Sequence, residues 1–139
     1  MIWRRDDGSA ALELVILAPA FLMLLALVIA AGRTSIAQGA VDAAARDAAR
    51  QASISLTPAA AQAAAQWSAR AALRGDGLDC MPVVAVDTSQ FSIPPGQPAT
   101  VSATVSCAVP LSNLALPGLP GTVRLHARFA SPLDVYRVR

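Results

Sequence analysis

A chain of 139 residues has room for one domain. Its hydrophobic share of 55% exceeds that of an ordinary soluble domain, while aromatic residues reach only 4%, too few for a surface that stacks nucleobases. A net charge of +2 with no dense basic run argues against a nucleic-acid partner, and the lack of any lysine excludes a P-loop lysine or a Schiff base.

Met1–Gly8 is short and polar apart from Ile2 and Trp3, as a cytoplasmic leader would be. Arg4 and Arg5 set the expected orientation, since positive charge stays on the cytoplasmic side and Asp6 and Asp7 count little against it. Leu14–Ala31 follows without a charged or polar side chain. At about 1.5 Å per residue this run is roughly 27 Å long as a helix, close to the thickness of a bilayer core. Eleven of its side chains are Leu, Ile, Val or Phe. At about −0.3 to −0.6 kcal/mol each they favour insertion by roughly 3–7 kcal/mol. Pro19 opposes this, because it cannot donate to the carbonyl of Val15 and favours a kink there. Glu13 stands at the leading edge of the run. An ionised group at the bilayer centre costs about 2.5–3.5 kcal/mol. One reading therefore places Glu13 at the interface, snorkelling and favoured by the helix N-terminus.

Beyond Gly32-Arg33 the helical pattern resumes from Ile36 to Ile54, rich in alanine. Asp42 and Arg46 have the order and spacing of a favourable ion pair. Val41, Ala44, Ala45, Ala48, Ala49 and Ala52 form a narrow face of small residues, suited to close packing on a helix or sheet. Arg46 and Arg50 lie off that face and are expected in solvent. The sequence leaves open whether the helix is continuous past Gly39. Thr57-Pro58 reads as an N-cap followed by proline at the first helical position. A second helix is expected over Pro58–Leu73, stopped by Gly75 or Gly77. Gln62, Gln66 and Arg70 mark its polar face, and Trp67 is expected to anchor its packing.

After Gly77 the pattern changes to that of strands. Val83–Asp87 is a short strand candidate, and Pro94–Pro98 a turn. Ala99–Val109 alternates, with Val101, Ala103, Val105, Cys107 and Val109 on one face and Thr100, Ser102, Thr104 and Ser106 on the other. The hydroxyl face is expected either in solvent or as a pairing surface for a partner subunit. Leu111–Gly121 reads as a loop. Thr122–Ala130 alternates again, with Val123, Leu125, Ala127 and Phe129 inward and Arg124, His126 and Arg128 outward. Leu133–Arg139 offers one more short edge strand.

Cys80 and Cys107 are the two cysteines. With the N-terminus cytoplasmic, both lie on the oxidising side. A bridge would close a loop of about 28 residues, worth roughly 3–4 kcal/mol in the chain-entropy model. The alternative is a pair of buried free thiols. The one histidine, His126, stands between two arginines on an outward strand face. No G-x-S-x-G elbow, glycine-rich phosphate loop or H-E-x-x-H is present, and two cysteines with one histidine make no zinc site. The expectation is therefore a non-enzyme with no cofactor, no metal and no small-molecule substrate.

Three pieces carry a family resemblance. They are Arg4-Arg5-Asp6-Asp7-Gly8-Ser9-Ala10-Ala11-Leu12-Glu13, the apolar run with Pro19 ending in Gly32-Arg33, and Ala43-Ala44-Ala45-Arg46-Asp47-Ala48-Ala49-Arg50. In this order they resemble the TadE-like pseudopilins of tight-adherence (Tad, Flp-type) pilus systems, over about residues 4–52. Leu14 follows Glu13 where the major pilins often have tyrosine, which points to a TadE- or TadF-like minor component. The resemblance implies cleavage between Gly8 and Ser9 by a prepilin peptidase. It also implies partners among other pilins, pseudopilins and the Tad assembly machinery. Glu13 of one subunit would then pair with the new Ser9 amine of a neighbour, offsetting the cost of burying both charges.

The expected architecture is α+β and pilin-like. A leader (1–8) precedes a transmembrane helix (9–31) in the lipid bilayer. An extracytoplasmic helical region (32–77) and a small antiparallel β-rich domain (78–139) of three or four strands follow. Two other readings compete. One is an uncut, single-pass anchored binding domain. The other is a secreted protein whose signal peptide ends at Val28-Ile29-Ala30, although the apolar run exceeds the usual 7–15 residues.

Overall fold

The structure, a computed structural model, describes residues 7–114, 118 and 120–136, with the backbone alone at 7–12. Most of the expected leader, Met1–Asp6, lies outside the described residues, as do Arg137–Arg139 of the tail.

One helix, α1, runs from Asp7 to Ser53. Its 47 residues make a rod of about 70 Å at 1.5 Å per residue. It passes through Pro19, Gly32 and Gly39 without a break, so the apolar run and the alanine-rich segment are a single element. A tight turn leads to α2 (Pro58–Gly75), two residues longer than expected. Thr57 is extended and its hydroxyl accepts from the Ala60 N–H at 3.2 Å, satisfying one of the donors that a helix start leaves open. Beyond the last helical residue, Gly75, the chain turns away at Gly77, whose φ of +72° is open to glycine at little cost. There the Leu78 N–H bonds the Leu73 carbonyl and the Gly77 N–H bonds that of Arg74, the paired bonds of a Schellman ending.

The sheet has three antiparallel strands in the order β1 (Val83–Asp87), β2 (Thr100–Pro110) and β3 (Thr122–Pro132). In register, Val84 faces Val105, which faces Ala127, and Val83 faces Ser106, which faces His126. The alternation expected from the sequence is therefore realised: β1 has the expected bounds, β2 is shifted by one residue, and β3 runs two residues further, to Pro132. A four-residue helix, α3 (Leu111–Leu114), occupies the start of the expected β2–β3 loop. A 3-10 turn, Ser89–Ser92, precedes the proline-rich turn. Leu133–Tyr136 adds no strand. Instead the Leu133 N–H bonds the Ala99 carbonyl and the Val135 carbonyl accepts from Gly96.

One core joins these elements. The outer half of α1 contributes Ala37, Ala40, Val41, Ala44, Ala45, Ala48, Ala49 and Ala52, and α2 contributes Ala61, Ala65, Ala69 and Leu73. Both lie on the sheet face formed by Val84, Val101, Ala103, Val105, Cys107, Val109, Leu125 and Ala127. The buried faces of both helices are almost entirely alanine, whose small side chains let the backbones approach closely. Cys80 and Cys107 are joined in a disulfide that fixes the entry to β1 onto the buried face of β2.

Several side chains depart from the sequence reading. Trp67 is 74% exposed, because the buried stripe of α2 is Ala61, Ala65, Ser68, Ala69 and Leu73 and Trp67 falls off it. Phe129 is on the expected face but 43% exposed, beside the end of the strand. Ser102, expected on an open hydroxyl face, is buried: Arg128 Nη2 lies over it and donates to its Oγ at 2.8 Å. Thr104 and Ser106 are half-buried. Asp42 accepts from Gln38 Nε2 at 3.2 Å, and the Asp42–Arg46 ion pair does not form.

Candidate membrane and assembly surface

The site begins with the inner half of α1. Leu14, Ile16, Phe21, Met23, Leu27 and their neighbours all project from the helix with nothing of the chain against them. The most apolar window reaches a mean hydropathy of 2.9 with none of it buried. Leaving this much large apolar surface in water, at about 25 cal/mol per Å², is a cost that a stable soluble chain avoids. A helix of this length and composition crosses a bilayer with its backbone bonds satisfied internally. Thr34, at the exit, is compatible with that setting: its hydroxyl donates back to the Ala30 carbonyl at 2.9 Å.

Gly8 and Ser9 lie in the first turn of α1, where only the backbone is described. Glu13 is exposed at the head of the span. Ser9 and Glu13 are four positions apart on one helix, hence about one turn and roughly 6 Å along its axis. The geometry thus brings the expected cleavage position and the carboxylate onto the same side of the rod. The other two residues singled out, Cys80 and Cys107, are far along the chain in the head and serve its fold.

Above the span, the head closes its sheet edges with glutamines, which the sequence did not mark as structural. Gln62, expected on the open face of α2, instead donates from Nε2 to the Val84 carbonyl at 2.7 Å. Its Oε1 accepts from the Val86 N–H at 3.1 Å. This is the bonding that a neighbouring strand would supply, and it blunts the β1 edge. Gln38 Nε2 reaches the His126 carbonyl on the other edge at 3.0 Å. Gln90 Oε1 accepts from the Thr100 N–H at 2.6 Å, where β2 outruns β1. On the outward face, Arg128 approaches Asp87 at 3.8 Å. Hydrogen bonds from Ser89, with a smaller pull from Arg128, hold the Asp87 carboxyl below its ordinary range. Among the described residues, no three His, Cys, Asp or Glu side chains gather to hold a metal ion.

Next to the exit from the span, α1 and the head enclose a groove of about 530 Å³, reaching from Arg33 to Ala43 on α1. Its walls are the turn after α2 and the C-terminal half of α3. The head therefore meets the helix immediately beyond the apolar run, with no stalk between.

One apolar N-terminal helix carrying a C-terminal α+β head defines a single-pass membrane-anchored protein. Residues 8–50, about a third of the chain, match the family described as TadE-like protein. The matched stretch starts at the expected cleavage glycine, covers the span, and ends within the buried alanine face. No curated protein and no solved structure matches the chain.

Proposed function

We propose that this protein is a minor pseudopilin of a tight-adherence pilus, inserted with its N-terminus cytoplasmic and its head outside. The observation that carries the reading is the TadE-like match beginning at Gly8 on a helix whose apolar half is bare. A prepilin peptidase cuts between Gly8 and Ser9 on the cytoplasmic face, and glycine lets the protease approach the backbone closely. The amine released at Ser9 and the carboxylate of Glu13 then form a complementary pair between neighbouring subunits. That pairing gives a reason for a charge at the edge of the bilayer. The head carries no catalytic constellation in this reading. Its work is contact with other pilins and the assembly machinery, in pilus assembly and adhesion.

The test is the N-terminus and intact mass of the protein taken from its host's membranes. A chain starting at Ser9 is the expected result. A chain retaining Met1 in a host with an active peptidase favours an uncut anchored domain, and one starting near Ala31 favours a secreted protein. If Glu13→Ala leaves both cleavage and incorporation into the pilus unchanged, the pairing is wrong.

A further inference from the structure

The groove at the membrane exit is not used by pilus assembly as read above. We propose that it holds the headgroup of one phospholipid bearing a phosphate and a primary ammonium, as in phosphatidylethanolamine. The proposal rests on Leu14–Ala31 being the membrane span, because that sets the height of the groove. Arg33 stands two residues beyond Ala31 and Gly39 eight. At about 1.5 Å per residue the floor stands roughly 3 Å above the hydrocarbon edge at Arg33, about 12 Å at Gly39 and about 18 Å at Ala43. The headgroup layer is about 5–8 Å deep on each side, so the Arg33 end of the groove lies within it.

The charge pattern selects the occupant. Arg33 and Asp76 are the charged residues of the lining, and neither is ion-paired, with each other or with another described residue. A planar guanidinium matches phosphate oxygens, and a carboxylate takes charge-assisted hydrogen bonds from an ammonium. Asn113 adds a polar side chain on the α3 wall, and Ile36 and Leu78 give an apolar surface for the glycerol and upper acyl chains. A choline headgroup has no N–H to give Asp76. A glycerol headgroup has no cation at all.

Gly39 keeps the floor open. Glycine inside a helix is unfavourable, and packing within the chain does not demand it here, since a Cβ at Gly39 meets no atom within 4 Å. Gly39→Leu therefore starts from an unobstructed Cβ and projects its side chain into the groove.

The experiment uses the full chain in vesicles of equal phosphatidylethanolamine, phosphatidylcholine and phosphatidylglycerol. After mild detergent extraction, retained lipid is counted by native mass spectrometry. Phosphatidylethanolamine is expected in excess by about fivefold or more. Asp76→Asn should reduce that excess by about fivefold, the scale of one lost charge contact, whereas Arg33→Gln should lower retention of all three lipids alike, because they share the phosphate. Gly39→Leu should abolish it with an unchanged circular dichroism spectrum. Equal retention of the three lipids, or undiminished retention by Gly39→Leu, overturns the proposal. A chain that floats with the vesicles without this preference refutes the groove alone. A chain that does not float refutes the membrane span, and the groove with it.

Discussion

The two halves of α1 invert the usual rule of burial. From Leu14 to Ala31 the helix exposes leucine, isoleucine, valine and phenylalanine, while from Ala37 to Ala52 it buries almost nothing but alanine. Met23 is 72% exposed and Ala48 not at all. One continuous helix thus meets two solvents. In lipid, large side chains cost nothing by facing outward, because the bilayer is as apolar as they are. In the head, contact area comes from closeness, and small residues let α1 settle against α2 and the sheet. Size is therefore selected in opposite directions on the two sides of Arg33.

That contrast can be broken from either side. Leu22→Arg places a charge near the middle of the span and should cost about 2.5–3.5 kcal/mol of insertion. Membrane fractionation should show reduced integration, while protein that does insert keeps the melting temperature of its head. Ala48→Leu does the converse. It overpacks a site with no free surface, at about 1–3 kcal/mol. The head's thermal transition should fall by roughly 4–8 °C per kcal/mol, with insertion unchanged.

Smaller changes sharpen the account of the head. Gln62→Leu removes both bonds to β1 and leaves the Val84 carbonyl and Val86 N–H without them. A loss of about 1–2 kcal/mol is expected in denaturant unfolding, with faster hydrogen exchange at Val86. The least effect belongs to Asp87. Its folded-state pKa lies below the ordinary value of 3.8, so its contribution is present above that value and lost as pH falls through the folded one. An acid titration of the head should be slightly less steep below pH 3.8 in Asp87→Asn than in the parent chain.

Much of this was legible in the chain. The alanine face reads directly from its helical spacing, because burial of a helix stripe is a local, periodic demand. The strands read from their alternation for the same reason. What escaped depends on how elements dock. Gln62, Gln38 and Gln90 look like solvated amides until a strand edge is brought to them, and no spacing in the sequence signals that. Trp67 illustrates a reading by residue type overruled by position. The alanine stripe of α2 already excluded it, and the spacing of Ala61, Ala65 and Ala69 was the available signal. The short helix α3 sits in a run of leucine, proline and glycine whose local grammar is that of a loop. At the candidate site, Gly8, the expected cleavage position, and Glu13 were visible as a motif. The groove was not, since its walls come from three separate parts of the chain.

The most direct test of the two-solvent helix is the accessibility of two single cysteines, Leu22→Cys and Arg50→Cys, in native membranes. Cys80 and Cys107 are tied up with each other and leave the background quiet. The account predicts that a polar, membrane-impermeant maleimide labels position 50 readily when it has access to both sides, and labels position 22 only after detergent dissolves the bilayer. Equal labelling of both positions in intact membranes would show that the inner half of α1 is not in lipid, and would contradict the account at its centre.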